Sequence, residues 1–235
     1  MKTIGLLGGM SWESTIAYYR IINRVIGARL GGLHSARIVL YSVEFAAIEE
    51  MQRAGRWTEA GVVLADAARR LEGAGAECLV ICANTMHKVA PAVEDAITIP
   101  LLHIADATAA RILAAGLRTV GLLGTRYTME MDFYRRRLAE RFGLTVLTPE
   151  KADREAAHQI IFEELCRGVV REESRATYRR IVENLASAGA AGIVSGCTEI
   201  GMLLGPDDVP LPLFDTAAIH AEEAALWALG ERGGH

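Results

Sequence analysis

The chain states one segment twice. Residues 71–85 read LEGAGAECLVICANT and residues 185–199 read LASAGAAGIVSGCTE. The two lie 114 residues apart, so Leu71 matches Leu185 and Ala83 matches Cys197. IGLLGG at 4–9 likewise matches VGLLGT at 120–125, and IPLLHIAD at 99–106 loosely echoes VPLPLFD at 209–215. Strings such as GLLG and AGA recur by chance, but three matches in one order do not. Such a chain is expected to fold as two lobes related by a pseudo-two-fold axis.

Each half alternates strand-like and helix-like stretches. TIGLLG (3–8), ARIVLYSV (36–43), ECLVICA (77–83), TVGLLG (119–124) and AGIVSG (191–196) are apolar runs of strand length. Helical patterns fill the gaps at 13–29, 57–74, 105–115, 128–141, 154–167 and 173–187. Continuous apolar strands separated by amphipathic helices predict parallel sheets covered by helices. The expected fold class is therefore α/β, with two pseudo-symmetric lobes. The expected division is residues 1–104 plus 214–235 for the first lobe and 105–213 for the second.

Composition narrows the function classes. At 235 residues and a net charge of −4, nothing draws the chain to nucleic acid or to an anionic membrane. The basic run at 135–137 reads as a solvated helix face. The apolar start breaks into glycines too early for a signal peptide, and no stretch reaches membrane-spanning length. Cysteines 78, 82, 166 and 197 lack the spacing of a disulfide framework, so reduced thiols and a cytoplasmic setting are expected.

In open parallel sheets, ligands bind at the carboxyl ends of the strands. The polar clusters fall at such ends: GGMS (8–11), CANTMH (82–87), GTRYT (124–128) and GCTE (196–199). Two facing lobes would set all four around one cleft. After the glycines at 8 and 9, Ser11, Ser14 and Thr15 can cap a helix, as can Thr125 and Thr128 in the second half. Exposed backbone N–H groups there suit a carboxylate. Asn84 and Thr85, and in the second half Thr198 and Glu199, supply hydrogen-bonding groups that orient a carboxylate and an ammonium. G-x-G-x-x-G is absent, which disfavours NAD and FAD. His87, His103 and His220 have no metal-ligand spacing, and Lys88 is the only Schiff-base candidate. Cys197 follows Gly196, which leaves room around it. A thiol opening a helix is expected to have a lowered pKa, suited to a base or a nucleophile. Cys82 aligns with Gly196 rather than with Cys197, so Cys82, Cys78 and Cys166 read as structural thiols.

GLLGGMSWEST, the N-T-x-H turn and G-C-T-E-I together resemble the aspartate/glutamate racemase family, and most of all its broad-specificity and L-aspartate/L-glutamate branch. The resemblance runs the whole length. It implies a homodimeric enzyme for a small amino-acid substrate, with no cofactor and no metal. By position it implies that Met10 and Ser11 hold the substrate largely through backbone, with Asn84, Thr85, Thr125, Thr128 and Thr198. Gln52 and Glu164 match two further substrate contacts, Glu164 often being lysine elsewhere. His87 and Glu199 would support the site. Family members commonly place one thiol directly before the Asn-Thr pair and one in the G-C-T motif. Inverting an α-carbon needs one acid/base group per face, and two thiols provide it. Here Cys197 holds the second position and Ala83 the first, and alanine transfers no proton. Two other readings follow from that gap. One is a single-thiol decarboxylase of malonate-type acids; the other is an amino-acid-binding protein with impaired catalysis.

Overall fold

The computed structural model describes residues 1–231 and divides into two compact units. One contains Met1–Ile104 and the segment from His220 onward; the other is Ala105–Ile219. Each unit is built on a four-stranded, all-parallel sheet.

The first unit carries β1 (Ile4–Gly8), α1 (Trp12–Leu30), β2 (Ile38–Ser42), α2 (Phe45–Arg53), α3 (Trp57–Gly73), β3 (Cys78–Ile81), α4 (Ala90–Glu94) and β4 (Leu101–Leu102), with the 3₁₀ turn Thr85–Val89 between β3 and α4. α5 (Ile104–Ala114) leads into the second unit. There follow β5 (Thr119–Gly124), α6 (Arg126–Glu130), α7 (Asp132–Phe142), β6 (Thr145–Leu147), α8 (Lys151–Glu163), α9 (Glu172–Ser187), β7 (Ile193–Gly196), α10 (Ile200–Leu203) and β8 (Leu213–Asp215). α11 (Thr216–Leu229) is the last described element.

The strand orders are the same in both units: β2-β1-β3-β4 in one and β6-β5-β7-β8 in the other. The registers agree residue by residue. Gly5 pairs with Leu79 in the first sheet and Gly121 pairs with Ile193 in the second. The central strands β1, β3 and β7 are buried along their whole length, as continuous apolar runs require of a parallel sheet. Gly5 and Gly121 share a packing role. A Cβ on Gly5 would lie 2.8 Å from the Ala76 Cβ, and one on Gly121 would lie 2.9 Å from Leu185 Cδ1. The missing side chains let the α3–β3 and α9–β7 segments, with Ala76 and Leu185, sit close on the sheet.

Several boundaries differ from the sequence expectation. β8 is hydrogen-bonded in register to β7, with Ile193 opposite Leu213. Residues 214–219 therefore stay with the second sheet, and the chain rejoins the first unit at His220 rather than at 214. The single helix expected at 128–141 is two, broken where Met131 turns extended at φ −80°, ψ 144°. Asp132 restarts the helix and pairs with Arg135. β6, three residues long, fell below the length at which an apolar run is recognisable. Of the basic run only Arg136 is exposed; Arg135 and Arg137 are half-buried, and all three are paired: Arg135 with Asp132, Arg136 with Glu140 and Arg137 with Asp106.

Candidate active site

Two clusters form, one in each unit, both at the carboxyl ends of two neighbouring strands. In the second unit these are β5 and β7, with Gly124 opposite Gly196. Thr125 leaves β5 and caps α6, its hydroxyl accepting the Thr128 N–H at 3.3 Å. The two threonine hydroxyls are 3.2 Å apart. Beyond β7 come Cys197, Thr198 and Glu199. Ser195 donates to the Cys197 carbonyl, and Thr216 donates to the Ser195 carbonyl at 2.7 Å. Thr216, fully buried at the start of α11, belongs to no motif that sequence reasoning singled out.

Gly196 has a different role from the one expected. A Cβ there would come within 2.8 Å of the Leu123 carbonyl oxygen and 3.3 Å of Thr128 Cγ2. The glycine admits the neighbouring strand and the Thr128 side chain, rather than clearing space for the thiol. Since a backbone oxygen cannot swing away, Gly196→Ala is expected to lower stability by about 1–3 kcal/mol in denaturant unfolding.

The Cys197 thiol also differs from expectation. It is 8% exposed and lies among Met129, Ile161, Leu165 and Ile200 in the second unit's core. Its thiol donates to Glu199 Oε2 at 2.9 Å. Burial, and then the charge of Glu199, push the thiol well above its ordinary pKa. The helix that was to lower it, α10, is only four residues long, with the acidic Glu199 at its cap. The remaining thiols are also pushed up by burial: Cys78 and Cys166 each to about 12, and Cys82 further.

The first unit places its cluster after β1 and β3, where Leu7 lies opposite Ile81. Gly9 makes the turn with φ +93°, and a Cβ there would meet the Val43 carbonyl oxygen at 2.3 Å. Ser11 stands at the cap of α1 but makes no side-chain capping bond. Thr15 holds the turn, accepting from the Gly9 N–H at 2.9 Å and donating to the Ser11 carbonyl. Met10, Ser11, Ala83, Asn84 and Thr85 are all buried. Gln52 is brought to the same end, its amide donating to the Met86 thioether at 3.0 Å.

The ladders make Ala83 and Cys197 counterparts without reference to sequence similarity. Leu7 pairs with Ile81 and Leu123 with Ser195, and each position lies two residues further on.

His87 is committed. Its Nε2 accepts the Ile104 N–H at 3.2 Å, so the neutral ring carries its proton on Nδ1, which donates to the Ala83 carbonyl at 2.8 Å. His103 packs at 4.5 Å and His220 at 5.8 Å between ring centroids, a gathering their spacing in sequence did not reveal. His220 Nε2 donates to the Leu102 carbonyl, and its Nδ1 accepts from the Tyr18 hydroxyl. Among the described residues, no group of three or more His, Cys, Asp or Glu side chains is placed to hold a metal ion. Glu164, at the end of α8, accepts from the Ser174 hydroxyl at 2.6 Å and lies 3.8 Å from Arg171. Lys88 lines a groove with Trp57, Arg69 and Asp95.

Two parallel four-stranded sheets flanked by helices are the fold of a known family. Residues 7–224 match the sequence profile of the Asp/Glu/hydantoin racemases. The chain is 25% identical over 232 residues to the broad-specificity amino-acid racemase RacX of Bacillus subtilis, covering 93% of this chain and 95% of that protein. Among solved structures it is similar to a Yersinia pestis protein provisionally classed as an Asp/Glu racemase, with 56% identity and a TM-score of 0.91 over 97% of this chain and all of that one. It is also similar to an aspartate racemase homologue from Pyrococcus horikoshii, with 36% identity and a TM-score of 0.84 over 97% of this chain and all of that one. The profile spans nearly all of the two units, and the chain belongs to the Asp/Glu/hydantoin racemase family.

Proposed function

We propose that this chain is a cofactor-independent amino-acid racemase acting on aspartate or glutamate, with Cys197 as its acid/base thiol. The observation that carries the reading is the Cys197 side chain at the end of β7, bonded to a buried carboxylate and flanked by threonines on the adjoining strand end. The groups able to meet a substrate carboxylate or ammonium are Ser11, Asn84 and Thr85 at the strand ends of the first unit, and Thr125, Thr128 and Thr198 at those of the second. Gln52, fixed against Met86, joins the first unit's group. Glu164, held by Ser174, sets an acidic edge that discriminates among substrate side chains.

Proton transfer then runs as follows. The Cys197 thiolate takes the α-proton from one face of the substrate, leaving a carbanion delocalised into the carboxylate. A proton delivered to the other face inverts the centre; one returned to the same face restores it. Ala83 has no proton to give and both His87 ring nitrogens are engaged, so water serves the second face. Loss of a positioned acid or base costs on the order of 10²–10⁴-fold in rate. We therefore expect exchange from the Cys197 face to outrun inversion.

Incubation with L-aspartate or L-glutamate in D₂O, followed by mass and by chiral separation, tests this. The expected result is α-deuteration of one or both acids, with slower appearance of the D-isomer. Absence of deuterium at saturating substrate for both would sink the reading. The Ala83 methyl supports a second one: one-sided protonation of an enolate formed by decarboxylation of a malonate-type acid. Release of CO₂ from such an acid, without exchange on the amino acids, would favour it. A chain that binds the amino acids without either reaction would be a binding protein.

A further inference from the structure

A groove of about 560 Å³ runs through the first unit between α3 and the segment carrying the 3₁₀ turn and α4. That is within the roughly 300–1,000 Å³ of small-molecule pockets. The racemase reading makes no use of it. Small residues set the spacing of its two walls. A Cβ on Gly61 would lie 3.3 Å from the Ala92 Cβ and 3.6 Å from the Val89 Cβ. Further along, the Glu72 carboxylate accepts the Thr98 N–H at 2.8 Å. The walls therefore run side by side in the same direction. Trp57 and Lys88 fall toward one end, Arg69 and Asp95 toward the other. Lys88 and Asp95 are seven positions apart in sequence. At the roughly 1.5 Å rise of a helix, that is about 10 Å.

The charges in this groove differ in their partners. Elsewhere in the chain, Lys2 lies over the Trp227 ring and Lys151 pairs with Glu155. In the groove, Arg69 lies 3.5 Å from Asp66. Lys88, half-buried, pairs with no carboxylate among the described residues. It is the groove's cation left open to an anion from outside. Between the two ends the walls are apolar, with Val62 63% exposed beside Ala65 and Val89. An ammonium beside apolar walls is screened less than one in open water, so it holds an anion more firmly. Asp95 gives the far end the opposite sign.

We infer that this groove binds a monocarboxylate with an apolar body about 10 Å long, its carboxylate on Lys88 and its body along Val62, Ala65 and Val89. Asp95 stands where a second carboxylate would reach. The groove thus selects acids with one carboxylate over those with two, a preference opposite to that of a site for aspartate or glutamate. The racemase reading is not needed for this, since binding is measured without turnover.

Calorimetric titration of the full chain with octanoate, suberate and octanol tests the inference. Suberate is octanoate's chain with a carboxylate at each end, and octanol carries no charge. Octanoate is expected to bind at one saturable site per chain, at least about tenfold more tightly than suberate or octanol. Lys88→Met keeps the apolar stem and removes the charge. It should weaken octanoate about tenfold and leave octanol unchanged. Asp95→Asn, at an exposed position, should bring suberate close to octanoate. Octanoate that does not bind at 10-fold to 1,000-fold excess over protein overturns the inference, and so does suberate binding as tightly as octanoate. Both comparisons use the unaltered protein and hold even if a variant does not fold. Octanoate affinity unchanged in a folded Lys88→Met protein overturns it too. Self-association abolished by Val62→Glu and unaffected by octanoate would assign the groove to a second copy of the chain instead.

Discussion

Cys197→Ala is expected to abolish α-proton exchange, lowering the rate of deuterium entry into L-aspartate or L-glutamate by at least about 100-fold. The size of the effect follows from what the substitution removes. On the proposed reading, Cys197, hydrogen-bonded to Glu199, is the side chain of the second unit's cluster that alternates between base and acid against carbon. The threonine hydroxyls that remain hold and orient but are far too weakly acidic to replace a thiol. Two controls separate loss of chemistry from loss of structure. Cys197→Ser keeps nearly the same volume and a hydrogen-bond donor for Glu199, so it should fold normally and still lose most of the exchange. Cys78→Ala removes another buried thiol, from β3, and should retain it. If Cys197→Ala folds and exchanges at the original rate, the thiol is not the base, and the assignment of this strand end falls with it.

That assignment was half legible in the sequence. The repeat marked Cys197 and Ala83 as counterparts, and the β1–β3 and β5–β7 ladders make them so by geometry alone. Strand positions were readable because buried parallel strands are unbroken apolar runs, and strand ends because glycine and small polar residues cluster there. The state of the thiol was not readable. A cysteine opening a helix suggests a lowered pKa; the real α10 spans four residues, and burial with the Glu199 charge decides the other way. Burial is a property of the packed core, set by Met129, Ile161 and Leu165 from three other segments. His87 was likewise ambiguous, because the partners that fix its tautomer are the Ala83 carbonyl and the Ile104 amide, both main-chain groups. Main-chain partners leave no mark in the side-chain pattern. The same limit explains the domain boundary: β8 is three residues long, and only its pairing with β7 keeps it in the second unit.

Ala83→Cys is expected to raise racemisation by about 100-fold while raising α-deuteration far less. The two measurements differ in the groups they require. Exchange needs one base, which Cys197 supplies; inversion needs a proton donor for the other face, which a methyl group cannot be. A thiol at the counterpart position would supply that donor, and the D-isomer should then form about as fast as deuterium enters. The local structure can receive the change. His87 holds residue 83 through its main-chain carbonyl, so the backbone position does not depend on the side chain. Asn84 and the 3₁₀ turn that follows would keep their places for the same reason. Ala83→Ser provides the intermediate case, since a hydroxyl fits the same space but is a poorer acid; racemisation should rank Cys, then Ser, then Ala. Chiral chromatography for inversion and mass spectrometry for deuterium, on the same samples, give the ratio directly. A folded Ala83→Cys protein whose ratio of inversion to exchange stays at the original value would show that position 83 does not serve the second face. The pairing of Ala83 with Cys197 would then record the ancestry of the repeat rather than its chemistry.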